Sequence, residues 1–175
     1  MKRLSVILCF LLIGYTAMCQ ETDKKLQKLP SVMLKTLDGK TINTAELSNN
    51  GKPIILSFWA TWCKPCVSEL TAISDVYADW QKETGVMLIA VSIDDSRTTA
   101  NVQPTVNGKG WEYVVLLDAN SEFKRAMNVN LVPHTFILNG KGEIVWQHTS
   151  FAQGAELNLI DIVKKIIAGE PIPND

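Results

Sequence analysis

Residues 54–60 form an apolar run broken only by Ser57, and Trp62-Cys63-Lys64-Pro65-Cys66 follows it at once. A bounded run of this length reads as a buried strand. From Cys66 onward Leu70, Ile73, Val76, Tyr77 and Trp80 recur at helical spacing. Glu69, Ser74, Asp75 and Asp79 take the other faces, and Gly85 ends the pattern. That is an amphipathic helix with its stop signal. Pro65 falls in the first turn, where its missing N–H has no partner to lose. The chain thus passes from a buried strand directly into a helix, with two cysteines at the joint.

The surrounding segments extend the pattern. Residues 32–37 and 40–42 read as a hairpin around Asp38-Gly39, and residues 44–47 as a short helical turn. Residues 86–93 read as a second buried strand. Asp94-Asp95-Ser96 caps a helix running to about Asn107, which Pro104 bends or shortens. Residues 113–117 form a third strand, residues 121–127 a short helix and residues 134–138 a fourth strand. The turn Asn139-Gly140-Lys141-Gly142 returns the chain along residues 143–148. Leu157, Ile160, Val163, Ile166 and Ile167 mark the inner stripe of a closing helix. Buried strands alternating with helices predict an α/β fold with a central mixed β-sheet flanked by helices.

The N-terminus has a different character. Lys2 and Arg3 precede an apolar stretch over residues 4–13, and Ala17-Met18-Cys19 places small residues at a cleavage position. This is the pattern of a secretory signal peptide over residues 1–19, too short for a membrane span. Residues 20–30 read as a linker, residues 31–170 as one domain and residues 171–175 as a tail. The expected product is periplasmic and begins at Gln20. A lipoprotein anchored through Cys19 is the alternative, and only that form attaches to the membrane. With Cys9 and Cys19 in or at the edge of the signal, only Cys63 and Cys66 of the four cysteines remain in the domain. One close pair is no disulfide framework, and in an exported protein it points to redox chemistry. The formal net charge of −1 carries no basic surplus for nucleic acid.

The joint itself supplies the chemistry. Unpaired N–H groups and the dipole at a helix start favour thiolate over thiol at Cys63, and Lys64 adds a positive charge. Cys66, one turn further in, is expected to be more buried. Cys63 attacks a substrate disulfide, and Cys66 then attacks Cys63 and releases the reduced substrate.

Residues 57–66, Ser-Phe-Trp-Ala-Thr-Trp-Cys-Lys-Pro-Cys, resemble the thioredoxin active-site strand and loop. The body from about Ser31 to Gly169 resembles the TlpA/ResA-like branch of exported thioredoxins, including its N-terminal β-hairpin extension and an added segment around residues 95–111. The resemblance implies a thioredoxin-like fold and a periplasmic disulfide reductase without cofactor. It also implies a membrane electron donor and disulfide-containing exported proteins as partners, apocytochrome c among the open substrate classes. Pro133, between Val132 and His134-Thr135-Phe136, matches the family's cis-proline. The residue before it, here Val132, hydrogen-bonds substrate in that family. Thioredoxins carry a buried Asp where this chain has Ser57. ResA-like proteins have Glu at the place of Glu69, which implies that Glu69 handles the proton of Cys66.

Trp62 is expected to form an apolar rim for partner proteins. His134 and His148 are the only histidines, and a lone strand histidine is usually structural. Rival readings remain. An oxidase or isomerase on the same fold differs only in potential. A copper-binding assembly protein would use Cys63, Cys66 and His134, because thiolates and imidazole suit copper. Zinc lacks a second ligand pair. A peroxidase lacks the Pro and Thr that precede its cysteine, and a purely structural disulfide leaves the strand–cysteine–helix placement unexplained.

Overall fold

The computed structural model describes residues 26–173. The expected signal peptide, Cys19 and most of the expected linker lie outside them. The strands are β1 (Met33–Thr36), β2 (Thr41–Asn43), β3 (Ile54–Trp59), β4 (Met87–Ser92), β5 (Val114–Leu117), β6 (His134–Leu138) and β7 (Ile144–Thr149). The helices are α1 (Lys64–Thr84), α2 (Val102–Lys109), α3 (Glu122–Ala126) and α4 (Glu156–Ala168). One sheet holds all seven strands in the order β2-β1-β5-β4-β3-β6-β7. β3, β4 and β5 are parallel, and the remaining pairings are antiparallel, so the sheet is mixed as expected.

Burial explains the order. All six residues of β3 are buried, as a central strand covered on both faces requires. Phe58 packs on Phe123 and Phe136 on one face, with ring centroids 5.2 and 6.0 Å apart. Trp59 points to the other face and begins an aromatic row through Trp111 and Tyr113 to Tyr77 on α1. Side chains of this size, removed from water, each stabilise the fold by about 1.5–3 kcal/mol. Gly85 closes α1 in the left-handed region at φ 67°, where its N–H returns to the Gln81 carbonyl.

Several expectations change. Asp94 does not cap a helix: the chain turns after it, makes a single 3-10 turn at Thr99–Asn101 and enters α2 at Val102. Pro104 sits in the first turn of α2, where it breaks no ladder bond. The buried stripe of α4 is Leu159, Ile160, Ile162 and Val163, while Leu157 and Ile167 are more than half exposed. Its sequence is apolar over so much of its circumference that spacing alone did not fix the phase. At the N-terminal side, Leu29 is buried, and the N–H of Ile144 donates to the Gln27 carbonyl. Residues 27–29 of the expected linker therefore pack along β7. The hairpin of β1 and β2 joins the central sheet through β5. Among the described residues, no helix is long and apolar enough to cross a membrane.

Candidate active site

Cys63 is the N-cap of α1. Its own N–H donates to the Ala60 carbonyl at 3.0 Å, which folds the chain sharply after β3. Its sulfur accepts the Cys66 N–H at 3.3 Å, one of the donors that a helix start leaves unpaired. Cys63 and Cys66 are joined as a disulfide with their Cα atoms 5.3 Å apart. Both are largely covered: Cys66 is fully buried and Cys63 retains only a small opening. The expected contrast between them is therefore slight in the oxidised form.

The Val132–Pro133 bond is cis, as the resemblance implied. The Val132 carbonyl oxygen lies 3.8 Å from the Cys63 sulfur. Trp62, preceding Cys63, is 60% exposed, and Leu131, preceding Val132, is 71% exposed. The structure thus brings the cis Val132–Pro133 segment against the Cys63–Cys66 cystine, with Trp62 next to Cys63 in the chain.

Glu69 is not a solvated helix residue: it is 1% exposed and enclosed by polar groups. Thr135 Oγ1 lies 3.1 Å from Glu69 Oε1 and 3.1 Å from Ser57 Oγ, and Ser57 Oγ lies 3.4 Å from Glu69 Oε2. Two hydroxyl hydrogens thus serve two carboxylate oxygens. His148 Nε2 stands 3.9 Å from Glu69 Oε1. Ser57 opposes Thr135 across β3 and β6, and Thr135 opposes His148 across β6 and β7. These three side chains make one polar row through an otherwise apolar layer. Tyr113 donates to the Leu70 carbonyl; burial first, then the charge of Glu69, pushes its hydroxyl far above the usual phenol range.

Asp94 is the support that sequence reasoning missed. Fully buried, it accepts the N–H of Thr61 at 2.8 Å, the Thr61 hydroxyl at 2.6 Å and the Ser92 hydroxyl at 2.8 Å. It ties the end of β4 to the loop carrying Trp62 and Cys63. Asp95 serves the local turn, accepting the Arg97 N–H. Thr135 and His148 were missed as partners of Glu69 because their signal is cross-strand register. His134 faces away from Glu69. It stacks on Phe136 at 4.3 Å and its Nε2 meets Gln147 at 3.2 Å. Burial pulls its pKa below the usual histidine value. Among the described residues, no three His, Cys, Asp or Glu side chains gather closely enough to hold a metal. The copper ligand set of Cys63, Cys66 and His134 is thus not assembled.

A cystine at a helix start, with a buried carboxylate behind it and an apolar opening before it, can exchange with an outside thiol or disulfide. Known proteins agree. The AhpC/TSA family model matches residues 26–147. Thiol-disulfide oxidoreductase ResA of Bacillus subtilis is 31% identical over 147 residues, covering 81% of this chain and 78% of that protein. The sporulation thiol-disulfide oxidoreductase A of the same organism is also 31% identical, over 82% of this chain and 87% of its own length. The solution structure of an uncharacterized thioredoxin-like protein from Porphyromonas gingivalis superposes with a TM-score of 0.73 at 54% identity, covering 82% of this chain and 94% of that one. The chain belongs to the AhpC/TSA family and is a thioredoxin-fold thiol–disulfide oxidoreductase of the ResA-like kind.

Proposed function

We propose that this oxidoreductase is exported and reduces protein disulfides, with Cys63 attacking and Cys66 resolving. The observation that carries this reading is the placement of the Cys63 sulfur. It sits at the N-cap of α1, receives the Cys66 N–H and faces the Val132 carbonyl beneath the rim of Trp62 and Leu131. An extended substrate segment lying across that rim would pair with the backbone at Val132 and bring its disulfide in line with Cys63. A helix start stabilises the thiolate that attacks, and an internal partner three residues on completes the exchange. Glu69, buried one turn beyond Cys66 on the same helix, accepts the resolving thiol's proton.

Export rests on Lys2, Arg3 and the apolar residues 4–13. The reducing direction rests on the resemblance of Lys64-Pro65 to the reducing branch. It requires disulfide-containing exported proteins as substrates and a membrane electron donor that returns the cystine to the dithiol.

The test is a Cys66→Ala variant of the full chain, expressed in the native compartment and captured under acid quench. Stalled mixed disulfides through Cys63 are the expected product, with partner proteins identified by mass and a Cys63→Ala control yielding none. Adducts that form equally well in the Cys63→Ala variant would refute the assignment of the attacking thiol.

A further inference from the structure

The polar row beside Glu69 runs from the middle of the sheet to its edge strand. Ser57 lies on β3, Thr135 on β6 and His148 on β7, each opposite the next in register. Glu69 is 1% exposed, whereas the His148 side chain is 20% exposed. Glu69 takes a proton from Cys66 each time the dithiol is oxidised, and burial closes its direct route to solvent. Serine and threonine hydroxyls hold fixed hydrogen bonds here and do not titrate. Tyr113, pushed upward by burial and by Glu69, keeps its proton.

We propose that His148 is the proton outlet of the active site, acting through Glu69 and not on the sulfurs. The proposal rests on the Cys63–Cys66 reading above and assigns it a path. In the resolving step Cys66 gives its thiol proton to Glu69 as its sulfur attacks Cys63. The Cys66–Cys63 bond forms, the bond from Cys63 to the substrate sulfur breaks, and the substrate leaves as a thiolate. The substrate disulfide has then gained the two electrons that the dithiol has lost. Within the same step Glu69 passes the proton on to His148 Nε2, and the imidazolium then releases it at its exposed edge. The 3.9 Å between Nε2 and Oε1 closes to hydrogen-bond range through a side-chain shift of about 1 Å. Imidazole is the side chain suited to exchanging protons with water near neutral pH.

Among the described residues, the titratable groups whose charge or contact bears on Glu69 are Tyr113 ahead of β5 and His148 on β7, with Cys66 three residues before it on α1. Those bearing on His148 are Glu69 and, from the opposite face of β6, His134. Trp146 lies beside the His148 ring with centroids 5.4 Å apart.

The experiment follows a single turnover of the reduced full chain with a model peptide disulfide, timing formation and resolution of the mixed disulfide separately across pH. His148→Gln keeps a polar donor and removes the imidazole. Its expected signature is unchanged formation and resolution slowed by about tenfold near pH 7, a gap that closes toward about pH 9, where hydroxide takes the proton directly. In His148→Ala, added imidazole restores the resolving rate in proportion to its concentration. A His148→Gln resolving rate equal to wild type at every pH would overturn the proposal alone. So would a constant deficit at every pH with no imidazole rescue of His148→Ala, which marks a structural residue. Failure of the wild-type chain to form any mixed disulfide at Cys63 would overturn the parent reading as well.

Discussion

Replacing Asp94 with alanine tests how the active-site loop is held. The carboxylate collects three hydrogen bonds, from the Thr61 N–H, the Thr61 hydroxyl and the Ser92 hydroxyl. A bond to a charged group contributes about 1.5–3 kcal/mol, and a buried donor left without a partner costs about 1–3 kcal/mol. The three losses do not simply add. Thr61 is only half-buried, so its hydroxyl turns to water, and the Ser92 oxygen still accepts the Asp94 N–H at 3.1 Å. The Thr61 N–H and the buried Ser92 hydroxyl carry most of the penalty. The expected loss for Asp94→Ala is about 3–5 kcal/mol, roughly 10 °C in midpoint for a domain of this size. Asp94→Asn keeps one carbonyl for the Thr61 N–H and the Ser92 hydroxyl, and its amide donates to the Thr61 oxygen, so it loses about 1 kcal/mol. Urea unfolding of the oxidised variants, with the cystine intact so that the denatured state is constrained equally, measures both. An Asp94→Ala protein within about 1 kcal/mol of wild type would refute the view that this carboxylate anchors the loop.

Two other predictions concern charge. Glu69→Gln keeps the shape and removes the anion, so both thiols should be alkylated at lower pH, because a nearby anion disfavours a second one. Resolution of the mixed disulfide should slow in the same variant, and a protein unchanged in both respects would make Glu69 a packing residue. His134 has its pKa depressed by burial in the folded state, with Gln147 partly opposing and His148 adding to the effect. Its contribution to stability is therefore whole above the ordinary histidine value of about 6.5 and is lost as pH falls through that value toward the depressed one. His134→Phe should show a shallower fall in urea midpoint than wild type between about pH 7.5 and 5, and equal slopes would assign the acid sensitivity elsewhere.

The joint of β3, dithiol and α1 was legible because all of its determinants are local. The apolar run, the proline in the first turn, the helical spacing and the closing Gly85 lie within one stretch of chain. What the sequence left open depends on pairing between distant segments. Asp94, followed by Asp95 and Ser96, has the composition of a helix cap. Its work is set by β4 lying parallel to β3 with Ser92 opposite Trp59, which brings residue 94 beside Thr61. The attachment of the β1–β2 hairpin to β5 is likewise a non-local register. His148 reads as a lone strand histidine for the same reason: its place beside Glu69 follows from Thr135 standing across from it.

The substitution of Ser57 for the buried acid of thioredoxins has a geometric explanation in this row. Ser57 Oγ already sits 3.4 Å from Glu69 Oε2, with Thr135 between the two. A second carboxylate at residue 57 would share one enclosed pocket with Glu69, and two like charges at that range raise each other's proton affinity until one is neutralised. The strand acid and the helix acid are therefore alternatives. With the acid on α1, the strand position is free to carry a hydroxyl that donates to it. The carboxylate then lies on the same helix as Cys66, three residues away, and within reach of the edge strand through His148.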